Sequence, residues 1–293
     1  MDGVLLIDKP GGITSHDVVA RLRRVLKQPT VGHTGTLDPM ATGLLVIVLG
    51  KATRLASLLS GHDKTYEATI RLGRATTTDD ADGEFVGDAA SVPPAAEVEA
   101  VLDAFRGTFL QLPSSHSAKK IDGVRAYRLA RANKPVNLTP VEVTVKELTS
   151  LGMSGADLRV RVQATAGFYV RALARDLGAR LGCGAHLVAL RRIQSGTFAV
   201  ADAVILADAE LAGAALADRL IEPAAALPGL PAVELTELGL RRVQHGNSVG
   251  AEHLVGGLPA GDPHLPIRIL AGGRLFALAR RSHNTLHPVA VLG

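Results

Sequence analysis

The chain has 293 residues, 47% of them hydrophobic, enough to fill one large domain or a large and a small one. A single cysteine, Cys183, excludes an intrachain disulfide and a thiolate metal cluster, and the ten histidines are not paired at helical metal-ligand spacing. The formal charge is only +4, no apolar run approaches the roughly 20 residues that cross a bilayer, and no signal-peptide layout precedes the first strand; the expectation is a cytoplasmic protein.

Gly3 to Ile7 reads as a strand ended by Asp8-Lys9-Pro10-Gly11-Gly12. Thr14 is placed as a helix N-cap, with Asp17 three residues on in the manner of a capping box. Val18, Val19, Leu22, Val25 and Leu26 then share one helical face. Leu44 to Leu49 is a continuous apolar run, the mark of a buried strand. Tyr66, Ala68, Ile70 and Leu72 alternate along a further strand, as do Leu158, Val160, Val162 and Ala164. Helical spacing returns at Val170, Leu173, Ala174, Leu177 and Leu181, and Leu190 is placed in an apolar helix. An Ala-rich stretch from Ala207 to Ala226 runs into Pro228-Gly229-Leu230-Pro231, read as a linker. Beyond it, residues 267–278 read as a β-hairpin with Gly272-Gly273 at the turn. Strands and helices do not alternate regularly, so the fold expected is α+β: a mixed or antiparallel central sheet with flanking helices, and a small C-terminal β domain.

Charge is unevenly distributed. Residues 111–134 carry six basic residues against Asp122, residues 171–192 carry five against Asp176, and residues 79–103 carry eight acids and no base. Two basic segments suggest a polyanion-binding face, although a charge run is more often solvated surface. The chemistry-bearing segment is Gly32-His33-Thr34-Gly35-Thr36-Leu37-Asp38-Pro39-Met40-Ala41-Thr42-Gly43. It sets one carboxylate, Asp38, in a Gly- and Pro-bounded loop directly before a buried strand. Such a group can act as nucleophile or base without a metal; the ordinary alternative is an Asx turn. Neither GxGxxG nor GxxxxGK occurs.

Asp8-Lys9-Pro10-Gly11-Gly12-Ile13-Thr14-Ser15, the Asp38 loop, Lys64-Thr65-Tyr66, Ser117-Ala118-Lys119-Lys120, Gly167-Phe168-Tyr169-Val170-Arg171 and Leu187-Val188-Ala189-Leu190-Arg191-Arg192 occur in that order. In this order they resemble the TruB family of tRNA pseudouridine synthases, over roughly residues 3–200. The resemblance implies the pseudouridine synthase fold for residues 1–227, with an RNA-binding thumb inserted at about 111–134, and a PUA-like domain at 228–293. It implies isomerisation of the T-loop uridine of tRNA, position 55, with base flipping and no cofactor. The partner would be the T-arm stem–loop, with no membrane, no obligatory protein partner and a monomeric enzyme. Asp38 matches the catalytic aspartate, Arg171 the arginine placed against it, and Tyr66 the tyrosine stacking on the target base. Tyr169 and Leu190 match pocket walls. His33 matches the residue that fills the gap left by the flipped nucleotide, and Asp80 an acidic loop residue ordering the site and its RNA contacts. Lys119, Lys120, Arg125, Arg128 and Arg131 would grip phosphates in the thumb. His116 and Lys120 depart from the family pattern there. Lys9-Pro10 would brace the site without direct chemistry. Two rival readings are a non-catalytic tRNA-binding or folding protein on the same fold and a guide-RNA-dependent relative.

Overall fold

A computed structural model describes residues 1–114, 120–121, 124–125 and 138–293, the four residues from 120 to 125 by backbone only. The main element is a ten-stranded mixed sheet. Its path runs Val204–Ile205, Gly3–Lys9, Thr42–Leu49, Ala185–Ser195, Lys64–Leu72, Asp157–Ala164, Val141–Ser154, Gly107–Gln111. Val31–His33 pairs with Thr42–Leu49, and Phe198–Ala199 with Ala185–Ser195. Two pairings are parallel, Gly3–Lys9 with Val204–Ile205 and Thr42–Leu49 with Ala185–Ser195. The latter fixes Gly43, whose φ is +97° and where an added Cβ would lie 2.3 Å from the Arg192 carbonyl oxygen.

The continuous apolar run at 44–49 reflects a strand buried on both faces. Leu45, Ile47 and Leu49 join Leu5, Ile7, Val18, Leu22, Leu173 and Leu177 in the core under the helices Ser15–Val25 and Val170–Arg180. Leu44, Val46 and Val48 join Val4, Leu6, Leu275, Leu278 and Leu292 in a second cluster on the other face. The period-2 alternation therefore sorts one strand's side chains between two cores. The capping box forms as expected, with the Asp17 N–H donating to Thr14 Oγ1 (3.1 Å) and the Thr14 N–H to Asp17 Oδ2 (2.8 Å).

A six-stranded sheet follows, ordered Val249–Gly250, Thr285–Val291, Arg274–Ser282, Ile267–Ala271, Ala232–Leu235, Leu254–Val255. The hairpin expected at 267–278 is present, with Gly272 and Gly273 at φ +60° and +74°. This C-terminal β domain has its own core around Val233, Val243, Ile269, Ala277 and Leu286. Just before Pro228-Gly229-Leu230-Pro231, Ala226 and Leu227 are buried in a cluster that side chains of both sheets share.

Leu190 lies on a strand, not a helix. The run Leu187-Val188-Ala189-Leu190 has a composition either element tolerates. Its two-sided pairing, with Lys64–Leu72 and with Thr42–Leu49, decides for strand. In the basic insertion, Lys120–Ile121 and Val124–Arg125 form a two-stranded hairpin. His116, Lys119, Arg128 and Arg131 lie outside the described residues.

Candidate active site

The Asp38 loop is tied down from three directions. Ser15, the first residue of its helix and almost fully buried, accepts the Leu37 N–H at 2.8 Å and donates to the Leu37 carbonyl at 3.1 Å. The Gly12 N–H donates to the Pro39 carbonyl at 2.8 Å. Lys9, fully buried at the end of its strand, donates from Nζ to the carbonyls of Pro10 (2.8 Å), Ile13 (2.7 Å) and Pro39 (3.3 Å). One ammonium thus joins the two loops. Burial pushes it down to about 8 against the partly compensating pull of the Asp38 carboxylate. From the sheet, Arg192 Nη2 donates to the Gly35 carbonyl at 3.1 Å.

Asp38 faces Arg171, the second residue of the helix Val170–Arg180, which is 5% exposed. Arg171 Nε stands 3.0 Å from Asp38 Oδ2 as an ion pair and Nη2 donates to Oδ1 at 3.2 Å, so both carboxylate oxygens face the guanidinium. The opposite edge of the guanidinium serves a different loop: Nη1 lies 3.3 Å from Asp80 Oδ2 and donates to the Thr78 carbonyl at 3.3 Å. One turn along the helix, Arg175 reaches Asp79 at 3.4 Å and donates to the Leu112 carbonyl at 2.8 Å. Arginines at i and i+4 on one helical face therefore hold consecutive aspartates of a single turn. Burial pushes the Asp38 carboxyl above its usual range; Arg171 pulls it back and Asp80 adds to the upward push.

The arginine helix also meets the root of the insertion. Gln111, 1% exposed, donates from Nε2 to the Tyr169 carbonyl at 3.1 Å and accepts the Tyr169 N–H at 2.8 Å on Oε1. Gln111, where residues 111–134 begin, is thereby fixed to the residue just before the helix that carries Arg171.

A cavity of about 360 Å³ opens above Asp38, lined by Thr34 to Asp38, Ser60, Lys64, Tyr66, Thr165 to Arg171, Leu190 and Arg192. Asp38, Tyr66, Tyr169, Arg171 and Leu190 are thus brought together as expected. Asp80 sits beneath them, 5% exposed, paired with Arg171 and bonded to the Thr78 hydroxyl, so it presents little surface to the cavity. His33 ends its strand next to the lining residue Thr34, with Nδ1 accepting the Gly35 N–H at 3.3 Å. The sequence reading gave no role to Lys64 or Arg192, although both line the cavity. The available signal was their spacing: each stands two residues from a recognised wall residue on its strand, Tyr66 and Leu190, hence on the same face. Among the described residues no cluster of three metal-ligating side chains occurs, and no helix is long and apolar enough to cross a membrane.

Residues 23–170 match the model of the TruB family pseudouridylate synthase N-terminal domain, and residues 171–226 that of the tRNA pseudouridylate synthase B C-terminal domain. The chain is 46% identical to tRNA pseudouridine synthase B of Thermobifida fusca (strain YX), over 99% of this chain and 98% of that one. It is 45% identical to the same-named protein of Solibacter usitatus (strain Ellin6076), over 86% and 87%. Among solved structures, one of a Cbf5–Nop10–Gar1 complex superposes with a TM-score of 0.77 at 27% identity, covering 99% of this chain and 85% of that chain.

Proposed function

The chain belongs to the TruB family of pseudouridylate synthases, and from that membership we propose that it isomerises the T-loop uridine of tRNA, position 55, to pseudouridine. The bond from ribose C1′ to N1 of uracil breaks, the base turns within the cavity, and a bond forms from C1′ to C5. The hydrogen on C5 leaves to solvent as a proton and N1 gains one, so no electrons are exchanged and no cofactor is called for. The observation that carries the reading is the Asp38 carboxylate at the cavity floor, held by Arg171 with Tyr66 on the adjoining wall. Attack at C1′ and removal of a sugar proton both need that carboxylate ionised and aimed, and the pairing supplies both.

A uridine inside a folded loop must leave its stack to reach the cavity. Tyr66, partly buried on its strand, offers a ring face to the extruded base; such stacking contributes about 1–3 kcal/mol per base. Leu190 and Tyr169 close the walls, and His33, at the rim, takes the place the base vacates. Residues 111–134, with Lys119, Lys120, Arg125, Arg128 and Arg131, grip the T-arm phosphates, and the enzyme works as a monomer without a guide.

Transfer RNA carrying tritium at C5 of uridine tests this. Purified protein alone, with chelator present, should release one tritium for each pseudouridine formed, from the T-loop uridine only. Binding without release would make the chain a tRNA-binding protein on the same fold. Release that needs an added guide RNA or second protein would place it with the guided enzymes.

A further inference from the structure

Lys64 and Arg192 stand side by side on the cavity wall. Arg192 is the direct cross-strand partner of Tyr66, and Lys64 precedes Tyr66 by two residues on the same face. Both are more than nine-tenths buried, at 8% and 2% exposure. Lys64 Nζ donates to the carbonyls of Ser60 (2.5 Å) and His62 (2.7 Å), and Arg192 donates from Nε to Leu44 (2.7 Å) and from Nη2 to Gly35 (3.1 Å). Only neutral carbonyls accept hydrogen bonds from these two side chains: among the described residues neither forms an ion pair, and the neighbouring Asp63, whose charge also acts on Lys64, is engaged by Lys146 at 2.5 Å. A lysine offers three N–H donors and an arginine five, so each keeps donors to spare, Arg192 its whole Nη1 group.

Two cations buried together without an ion-pair partner among the described residues are costly. Lys9 shows that a buried ammonium can tie carbonyls alone, but Lys9 has the Asp38 charge beside it and lies outside the cavity lining, whereas Lys64 and Arg192 both line the cavity. Burial first, then the adjacent guanidinium, push the Lys64 ammonium down to about 8, with the Asp63 carboxylate opposing them.

We propose that Lys64 and Arg192 form a subsite for a phosphodiester flanking the uridine that is isomerised. The inference rests on the function proposed above, since a nucleotide whose base lies on Tyr66 brings one kind of anion with it, its own backbone phosphate. Two residues along a strand span about 7 Å, so the same nucleotide can present its base to Tyr66 and its phosphate to Lys64. The subsite would anchor the extruded nucleotide by its backbone while the base is detached and turned, which is when the glycosidic bond no longer holds base and ribose together.

The test is a double-substitution cycle. T-arm stem–loops carry a neutral methylphosphonate at the phosphate 5′ or 3′ of the target uridine, and pseudouridine formation is followed under single-turnover conditions at subsaturating RNA with wild-type protein, Lys64→Gln and Lys64→Arg. Wild-type turnover on unmodified RNA checks the proposed function by itself. Expected for the subsite is a roughly ten- to hundredfold loss for Lys64→Gln, the scale of one hydrogen bond to a charged group, with most of it recovered in Lys64→Arg. At one of the two phosphates the methylphosphonate should cost wild type a similar factor and cost Lys64→Gln little more. Losses that multiply at both positions would overturn the proposal, because side chain and phosphate would then act independently. So would an unaffected Lys64→Gln, or a methylphosphonate without effect at either site.

Discussion

Asp38 and Arg171 are 133 residues apart in sequence and are joined by an ion-pair contact at 3.0 Å and a hydrogen bond at 3.2 Å. Replacing Asp38 by Asn keeps the shape and removes the charge. Pseudouridine formation should fall by roughly a thousandfold or more while tRNA affinity stays within a few-fold, because the proposed function assigns binding to the basic segments. Turnover near wild type would remove Asp38 from the chemistry. Arg171→Lys keeps the charge and loses the planar fork, so a rate loss of roughly ten- to hundredfold is expected in single-turnover assays. The pH profile separates aiming from charge. Burial favours the protonated form, so activity should fail on the acid side above the ordinary carboxylate value of 3.8, as falling pH passes the raised pKa of Asp38. Arg171 opposes that shift, so Arg171→Gln should move the acid limb to still higher pH. A limb that stays in place would mean that a different group sets it. At this scale the sequence made Asp38, Tyr66 and Arg171 legible through motif order. Lys64 and Arg192 were not legible as a pair, because their relation is a cross-strand register between residues 128 positions apart.

The elements that carry these residues are each local in origin and become a site only through their junctions. The strand ending at Lys9 and the capped helix beginning at Ser15 were readable from an apolar run and a Thr-Asp pair. That their junction holds the Asp38 loop, through Ser15 Oγ and Lys9 Nζ, was not, since backbone carbonyls leave no trace in a sequence. Leu190 shows the same limit in reverse: an apolar run became a strand because strands on both sides had open ladder positions. The Gln111–Tyr169 amide clamp places the root of the basic insertion against the arginine helix. Replacing Lys119, Lys120 and Arg125 together by Ala should therefore weaken tRNA binding and leave the chemical step at saturation nearly intact. Each lost phosphate contact takes about 0.7–0.9 from the slope of log K against log salt, roughly 2–3 for all three. Equilibrium binding at several salt concentrations measures it, and an unchanged slope would place the RNA on another surface.

For the molecule as a whole, the two-sided burial of the central strands ties the catalytic sheet to the C-terminal one. Leu44, Val46 and Val48 lie on the face opposite the helices Ser15–Val25 and Val170–Arg180 and share a cluster with Leu275, Leu278 and Leu292. The sequence announced this only as an apolar run without alternation; what lay on the second face was hidden behind about 230 residues of chain. The same strand supplies the anchor for the Asp38 loop, since the Thr34 N–H donates to the Val46 carbonyl at 3.0 Å. The C-terminal sheet should therefore support the site mechanically even though it lines no part of the cavity. Leu278 is 4% exposed, and Leu278→Ala removes buried methyl groups from the shared cluster, a change that costs about 2–5 kcal/mol in well-packed cores. Urea unfolding, followed both by far-UV circular dichroism and by residual turnover, should show the two signals falling together at a lower midpoint than in wild type. If turnover kept its wild-type midpoint while the dichroism lost an early phase, the second sheet would be unfolding alone, and the shared cluster would not couple it to the strand that holds Asp38.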